Sequence, residues 1–274
     1  MRPMQALLVV GTVLGANATQ HEQAALAQAT TKSPPAAKNS QRKIDPKADA
    51  LLRKMSADLA GMKNFSFDAS HVLEVVTKQG EKLHDLAEAT VRVQRPNKLR
   101  SERMGPLGGA TLYYDGKNLT VYGKRNNLYA TAPTPSTLDE TIDFARESLS
   151  LDAPGADLLY SDPYKVLMED AVSGRYMGME PVGDRMCHHL AYRGHQTDWQ
   201  LWIEDGPRAL PCRFVITSKK QPGAPEYTVS TSNWREERSS PPDAFAFTPP
   251  PDAMKIEFVQ LADDVRKQTR QTKR

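Results

Sequence analysis

Histidines are the first residues of this sequence that could support acid–base chemistry or bind a metal. Two of them, His188 and His189, are adjacent on a predicted strand, so their side chains point to opposite faces and cannot hold one metal ion side by side. His195 lies in a predicted turn. The full set is His21, His71, His84, His188, His189 and His195. We interpret all of them as structural or surface residues and predict no metal site.

The sequence also lacks the motifs of common enzyme chemistries. It contains no Gly-x-Ser-x-Gly nucleophile elbow, no phosphate-binding loop, no Rossmann glycine fingerprint and no His-Glu-x-x-His. Among the acids, a turn explains Asp115, and the cap of a helix that begins at Pro163 explains Asp162. Glu169 and Asp170 form no pair that needs a catalytic account. We therefore predict no catalytic residue, no cofactor and no enzymatic activity.

The two cysteines, Cys187 and Cys212, are the remaining reactive side chains. In an exported protein two cysteines usually suggest a disulfide. Here they fall on the first and third of three successive predicted strands, with the strand of residues 198–204 between them. Two strand spacings amount to roughly 10 Å, and a disulfide tolerates a Cα–Cα separation of only about 7 Å. This spacing predicts that both thiols are unpaired.

Aromatic residues are the other chemical signal of the sequence. On strands they could line an apolar cavity, and the alternative is ordinary core filling. The residues concerned are Tyr113, Tyr114, Tyr122, Tyr160, Tyr164, Trp199 and Trp202.

The first 18 residues have the composition of an export signal. Arg2 gives a positive start, and residues 6–15 (ALLVVGTVLG) form an apolar stretch too short to span a bilayer. Cleavage would follow Ala18 or Ala29. The alternative is an N-terminal core helix, but a polar segment without pattern follows. Because no Cys comes after the apolar stretch, we predict a soluble periplasmic protein without a lipid anchor.

The rest of the chain divides by composition. Residues 19–43 are poor in large apolar side chains and predict a disordered linker, and residues 261–274 predict a basic tail. These basic ends account for the net charge of +3, which leaves residues 44–260 negatively charged. A negative body excludes nucleic acid as a partner, and no apolar run after the signal is long enough for a transmembrane segment. Residues 44–260 are interpreted as a single domain.

The hydrophobic periodicity of this domain predicts an α+β fold. An amphipathic helix spans residues 44–62, and two groups of alternating strands follow, separated by a helical insert. Short turns within each group predict antiparallel meanders. The strands are 65–75, 83–93, 98–104, 111–114, 119–122 and 128–131, then 175–182, 186–193, 198–204, 211–218 and 226–234. The insert has helices over 137–151, which starts with a capping-box-like Ser136-x-x-Asp139, over 156–160 and over 163–171.

Strands with one apolar face must cover that face. The helices are the covering material that the sequence offers. We therefore predict a curved antiparallel sheet of about eleven strands that forms an open half-barrel, with helices covering its concave face. Proline segments after residue 240 frame an edge segment around Phe245 and Phe247.

Several stretches resemble a family of predicted periplasmic proteins of unknown function, within the LolA/LolB-like superfamily of lipoprotein carriers and RseB-like sensors. The likeness covers about residues 44–258. The stretches are VQRPNKLR (93–100), YYDGK (113–117), ADLLYSDPY (156–164), CHHLAYR (187–193) and DWQLWIEDG (198–206). The family pattern has a basic residue in place of Cys212, which also favours an unpaired Cys187.

The resemblance implies an unclosed barrel whose apolar concave face holds acyl chains under a helical lid. It carries over no catalytic residue. The predicted partners are a lipid or lipoprotein acyl chain and, as further candidates, envelope proteins. The predicted cavity liners are Phe65, Phe67, Leu73, Val91, Leu158, Leu159, Tyr160, Tyr164, Trp199 and Leu201, with Met55 and Leu59 from the first helix as lid residues.

A periplasmic carrier or envelope sensor without enzymatic activity is thus the predicted function. The alternative is a structural or protein-interaction module whose core is filled. A hydrolase that uses polar residues near Tyr160 and Tyr164 is a third hypothesis, and the absence of a nucleophile–base arrangement in the sequence disfavours it.

Overall fold

The computed structural model describes residues 43–258 apart from residues 107, 152 and 242. The predicted signal peptide, nearly all of the linker and the basic tail lie outside the described residues. The first helix, α1 (Pro46–Gly61), begins where the sequence predicts it. Asp45 caps it by accepting a hydrogen bond of 2.8 Å from the backbone N–H of Lys47, and Pro46 occupies the first turn, where no N–H is needed.

All eleven predicted strands are present, and each bound agrees with the periodicity to within a few residues. The strand β8 starts earlier than predicted, at Ala171, so the helix before it is shorter. Two additional two-residue strands, β1 and β13, extend the sheet at its edges. The strands are β1 (Lys43–Ile44), β2 (Asn64–Val76), β3 (Lys82–Gln94), β4 (Lys98–Gly105), β5 (Gly108–Tyr114), β6 (Asn118–Gly123), β7 (Leu128–Pro133), β8 (Ala171–Val182), β9 (Arg185–Gly194), β10 (Thr197–Glu204), β11 (Pro211–Ser218), β12 (Glu226–Glu236) and β13 (Met254–Lys255).

The helical insert lies between β7 and β8, as predicted. It contains α2 (Leu138–Ser148), a 3-10 helix (Ala156–Leu159) and α3 (Pro163–Met168). The cap of α2 is one residue later than the sequence suggested. Thr137 accepts from the backbone N–H of Glu140 and donates its hydroxyl to the Glu140 carboxylate. The predicted cap at Asp162 is confirmed, because its carboxylate accepts from the backbone N–H of Lys165.

The strands form one open sheet of 13 members in the order β1-β8-β9-β10-β11-β12-β2-β3-β4-β5-β6-β7-β13. Neighbours are antiparallel except at the two short edge strands. The two predicted meanders meet where β12 pairs with β2, with Tyr227 opposite Leu73 and Val229 opposite His71. The predicted open sheet is confirmed.

The sheet curves around one large core. Leu119 on β6 and Leu190 on β9 both belong to that core. In a flat sheet their strands would lie eight spacings apart, roughly 40 Å. The helices contribute to the same core, so they cover the concave face of the sheet. On the opposite, outer face, residues 237–241 and 243–255 cross the first half of the sheet. We call this segment the strap.

The strap is held to the outer face by hydrogen bonds at both ends. At its start Glu237 accepts from the hydroxyl of Ser66 at 2.9 Å. At its end the backbone of Met254 donates to Asn127, next to the point where β13 pairs with β7. The predicted edge segment around Phe247 therefore does not extend the sheet as a strand. It lies across the outer face instead.

Candidate functional site

The predicted cavity liners of the sheet meet on the concave face. Phe65, Phe67 and Val91 come from the first half of the sheet, and Trp199 and Leu201 come from the second half. All five are buried in the same core cluster. Leu73, the remaining liner from the sheet, is partly buried and packs against this cluster.

The alternation that places these residues on one face is uninterrupted. The register between β2 and β3 runs from Asn64 opposite Gln94 to Val76 opposite Lys82 without a bulge. Since side chains alternate along a strand, every odd-numbered residue of β2 points to the concave side. The register alone therefore gives Phe65 and Val75 the same face.

The insert and α1 bring the predicted lid residues to the same core. Leu158, Leu159 and Tyr160 are buried in it, and Met55 and Leu59 of α1 are almost completely buried. Tyr164 is partly buried and packs against the cluster. The structure thus assembles the whole predicted set, and the described core between sheet and lid is filled by these side chains.

The apolar concave face continues beyond the helices. Past Leu73, the odd-numbered face of β2 reaches Val75, which is 39% exposed, and its cross-strand partner Leu83 is 56% exposed. The covered core therefore opens onto an uncovered apolar end of the same face. We call Leu73, Val75 and Leu83 the mouth.

A polar cluster lies between the core and the mouth. The imidazole Nδ1 of His71 is hydrogen-bonded to the hydroxyl of Tyr227. Burial lowers the pKa of His71, and the nearby Arg103 lowers it further, while Glu88 opposes them. Burial also raises the pKa of the Tyr227 hydroxyl. Arg103 in turn forms an ion pair of 3.1 Å with Asp85. The cluster therefore consists of the hydrogen-bonded His71 and Tyr227 beside Arg103, whose charge is balanced by Asp85.

Hydrogen bonds from Arg95 hold the 3-10 helix over the sheet. Its guanidinium donates to the backbone carbonyl of Leu159 at 2.8 Å and to that of Tyr160 at 3.1 Å. Burial lowers the pKa of Arg95, and Asp139 counteracts this effect. Asp139 also accepts two hydrogen bonds from Ser161, one from its N–H and one from its hydroxyl. Arg95 therefore ties the 3-10 helix to the sheet, and Asp139 ties Ser161 to α2.

A second set of contacts joins α1 to α3. The hydroxyl of Tyr164 donates to Asp49 at 2.6 Å, and Arg53 lies over the Tyr164 ring at 3.9 Å. Partial burial, the largest single effect, acts to raise the pKa of Asp49, but hydrogen bonds from Tyr164 and Arg53 outweigh it and lower this pKa. The backbone N–H of Tyr164 also donates to Ser56. These contacts lie at the surface of the lid, above the apolar core.

Two polar atoms inside the covered core have no hydrogen-bond partner among the described residues. They are the Tyr192 hydroxyl and the Trp199 indole nitrogen. Both side chains are 1% exposed. Burial is the main cause of the raised pKa of Tyr192. Buried polar groups without a partner are uncommon and call for an explanation.

The predicted opposite orientation of the paired histidines is confirmed. His188 hydrogen-bonds to the hydroxyl of Tyr176, whereas His189 stacks on Trp202 with ring centroids 4.1 Å apart. His189 also contacts Glu180 and Gln200 through its two ring nitrogens. Both histidines are thus bound to neighbouring side chains. Within the described residues no group of three or more His, Cys, Asp or Glu could hold a metal ion.

The prediction of two unpaired cysteines is wrong. Cys187 and Cys212 form a disulfide, with their Cα atoms 7.0 Å apart. The strands are the first and third of a meander, as expected, but the pairing of β10 with β11 contains a bulge. Trp202 is opposite Arg213 and Ile203 is opposite Pro211, so Cys212 is an extra residue without a partner on β10. This irregularity accompanies a separation shorter than two regular strand spacings.

The aromatic residues of the sequence are divided between the two faces. Tyr114 is completely buried in the concave core, but Tyr113 and Tyr122 lie on the outer face and contact Phe247 of the strap, as Tyr129 does. The sequence could not predict these contacts, because they depend on the path of the strap.

Asp115 adopts its predicted role in the turn and accepts from two backbone N–H groups at 2.8 Å.

The fold is of the α+β class: an open, mostly antiparallel sheet whose apolar concave face is covered by helices. The chain belongs to the family described as "Predicted periplasmic protein (DUF2092)", whose model matches residues 48–259. The family description agrees with the predicted periplasmic location. None of the described helices has the length and apolar character needed to span a bilayer.

Solved structures with a similar fold include three from different bacteria. An uncharacterized conserved protein from Thermus thermophilus is 14% identical over 77% of this chain and 99% of its own, with a TM-score of 0.47. The lipoprotein LppX of Mycobacterium tuberculosis is 13% identical over 71% and 98%, with a TM-score of 0.46. A LolA superfamily protein from Nitrosomonas europaea is 13% identical over 73% and 97%, with a TM-score of 0.39. A comparison with curated proteins found no match.

Proposed function

We propose that this protein binds the acyl chain of a lipid or lipoprotein between the concave face of its sheet and its helical lid, as a carrier or envelope sensor without enzymatic activity. The observation that supports the proposal is that the covered apolar core and the exposed apolar mouth lie on one face of the sheet. Along β2 this face runs from Phe65 and Phe67 under the lid, past the hydrogen-bonded His71, to the exposed Val75 at the mouth. An acyl chain that enters at the mouth would replace lid contacts with its own apolar contacts.

The two unpartnered atoms of the core support this proposal. A bound lipid carries ester or amide oxygens at the head of its chains. Such an acceptor could take hydrogen bonds from the Tyr192 hydroxyl and the Trp199 indole N–H, which have none among the described residues. Apolar sites commonly contain a few such polar groups, which orient the ligand.

The lid can also move without dismantling the sheet. Pro133 and Pro135 lie where the insert leaves β7, and Pro154 and Gly155 lie within the insert, between α2 and the 3-10 helix. Gly155 has a φ of 83°, in the left-handed region that favours glycine. Lid opening would break the two hydrogen bonds that the Arg95 guanidinium donates to the backbone of Leu159 and Tyr160.

A filled interaction module is the competing function. The observation in its favour is that Phe65, Leu201 and Trp199 are already buried without a ligand. The hydrolase hypothesis has less support. Ser161, the hydroxyl nearest the two tyrosines in sequence, donates to the Asp139 carboxylate and serves to attach the lid.

Native mass spectrometry of protein purified from its own periplasm tests the proposal. A co-purified lipid, together with uptake of a fluorescent fatty acid by the delipidated protein, is the expected result. A mass of the bare chain with no uptake would establish the interaction module instead. Leu159→Gln tests the lid: uptake unchanged in a folded variant contradicts the lid assignment, and unfolding assigns Leu159 to the core of a filled module.

Two leucines of β3 provide a matched pair of substitutions for the fatty-acid uptake assay. Leu83 and Leu86 are both 56% exposed on β3, but they lie on opposite faces. Leu83→Asn should weaken fatty-acid binding by about tenfold, since roughly 1.4 kcal/mol of apolar contact is lost. Leu86→Asn should leave binding unchanged. Equal effects of the two substitutions would contradict entry at the mouth.

A further inference from the structure

A cavity lies on the outer face of the sheet, between β5, β6, β7 and the strap. Its volume is about 270 Å³, and it is open on one side. The sheet forms its floor with Tyr113, Thr120, Tyr129 and Thr131, and the strap forms a wall with Phe247. The cavity is separate from the acyl-chain site, because Tyr114 and Leu119, the chain neighbours of Tyr113 and Thr120, point to the other face.

The residues that line the cavity combine aromatic rings with hydroxyl groups. Tyr113 and Tyr129 present rings, and their hydroxyls have no hydrogen-bond partner within the described part of the chain. The hydroxyls of Thr120 and Thr131 are 2.9 Å apart and share one hydrogen bond, which leaves further capacity on both. Four hydroxyl groups and several ring faces therefore surround one small space.

Asp115 adds a carboxylate at the edge of this cavity. Its Oδ1 atom is used by the turn, where it accepts from Lys117 and Asn118. The other oxygen, Oδ2, has no partner among the described residues and is available as a strong acceptor. A carboxylate repels an anionic ligand, so the site does not suit a phosphate or a fatty-acid head group.

A cationic ligand is also disfavoured, although aromatic rings often bind cations. The guanidinium of Arg100 already lies over the Tyr113 ring, 5.2 Å from its centroid. The ammonium of Lys98 lies 5.9 Å from the centroid of Phe245, another residue of the wall. A ligand cation would have to compete with these two side chains for the ring faces.

We infer that this outer cavity binds one neutral sugar ring. A pyranose presents C–H groups to aromatic faces and hydroxyl groups to the surrounding oxygens, which matches the tyrosines, the threonine pair and Asp115 in one space. The volume is below the range of about 300 to 1,000 Å³ that is typical of larger ligands, so it suits a single ring. The open side leaves room for that ring to belong to a longer glycan.

Saturation-transfer NMR of the full chain with the methyl glycosides of glucose, galactose, mannose and N-acetylglucosamine tests this inference. We expect transfer to at least one glycoside, with a Kd on the order of 1 mM. The double variant Tyr113→Phe/Tyr129→Phe keeps both rings but removes their hydroxyls, and it should weaken binding by about tenfold. Its uptake of fluorescent fatty acid should be unchanged, because that site is on the other face.

Tyr122→Phe is the matched control. The Tyr122 ring also contacts Phe247, but its hydroxyl donates to Asn127 and it does not line the cavity. Sugar binding should be unaffected by this substitution. The inference is overturned by absence of transfer to all four glycosides, by equal losses in the control and the double variant, or by displacement of the sugar with choline or inorganic phosphate.

Discussion

The phenol ring of Tyr192 stacks on the indole of Trp199 in the covered core, with centroids 4.1 Å apart and planes 7° apart. They are opposite each other on β9 and β10. The pair gains apolar and stacking energy, yet it buries two polar atoms that lack partners among the described residues. Stability and ligand binding therefore make opposite demands on these side chains.

Tyr192→Phe should separate these two demands. Removal of an unpartnered buried hydroxyl should raise the free energy of unfolding by about 1 kcal/mol, as measured by urea denaturation. The same substitution should weaken acyl-chain binding if the hydroxyl contacts the ligand. Tyr114→Phe is the control, because that hydroxyl donates to the carbonyl of Pro135 and its loss should be destabilising. A destabilised Tyr192→Phe protein would contradict the prediction.

Reduction of the disulfide should destabilise the protein. Cys187 and Cys212 are 25 residues apart, and closing a loop of this length contributes about 3.5 kcal/mol in the chain-entropy model. Urea denaturation with and without dithiothreitol measures the effect. The double variant Cys187→Ala/Cys212→Ala should show the same loss and no response to the reductant. Two free thiols in the oxidised, denatured protein would refute the disulfide.

Acidification should lower the stability of the protein through His71. Because the folded pKa of His71 lies below its ordinary value of 6.5, the unfolded chain binds the proton more tightly. This contribution to stability is complete above about pH 6.5 and is lost as the pH falls through the folded pKa. His71→Gln should lose less Tm than the wild type between about pH 7.5 and about pH 5.5. Equal losses in both proteins would exclude His71 as the source.

Loss of Arg95 should loosen the lid. Arg95→Ala removes two charge-assisted hydrogen bonds to the backbone of Leu159 and Tyr160, each of a kind that contributes about 1.5–3 kcal/mol. Hydrogen exchange should accelerate in residues 156–168 more than in β10. Lys82→Ala serves as the control, since its ion pair with Glu74 lies at the surface and joins β2 to β3 rather than the sheet to the lid. Uniform acceleration would indicate global destabilisation instead.

Local patterns predicted the strands, because alternation and turn residues act over a few neighbours. The shared face of Phe65 and Val91 followed from alternation, and it held because β2 and β3 have no bulge. The bulge between Trp202 and Ile203 has no comparable signal, and the disulfide was missed for that reason. The cap at Thr137 instead of Ser136 shows the same limit, since either residue type can cap a helix.

The sequence predicted the residues of the acyl-chain site but not those of the outer cavity. The acyl-chain site depends on one face of each strand, so its liners could be chosen before their contacts were known. The outer cavity requires the register of β5, β6 and β7 together with the path of the strap, which brings Phe247 to Tyr113 and Tyr129. These contacts join residues more than about 100 positions apart, and local periodicity carries no information on them.

The pairing of β12 with β2 has a consequence for the order of folding. Leu73 and its partner Tyr227 are separated by about 150 residues, so the central seam of the sheet forms only after nearly the whole domain is available. During vectorial export β2 enters the new compartment early, and one of its edges stays unpaired until β12, near the other end of the domain, follows. Such an edge is open to wrong partners until β12 arrives.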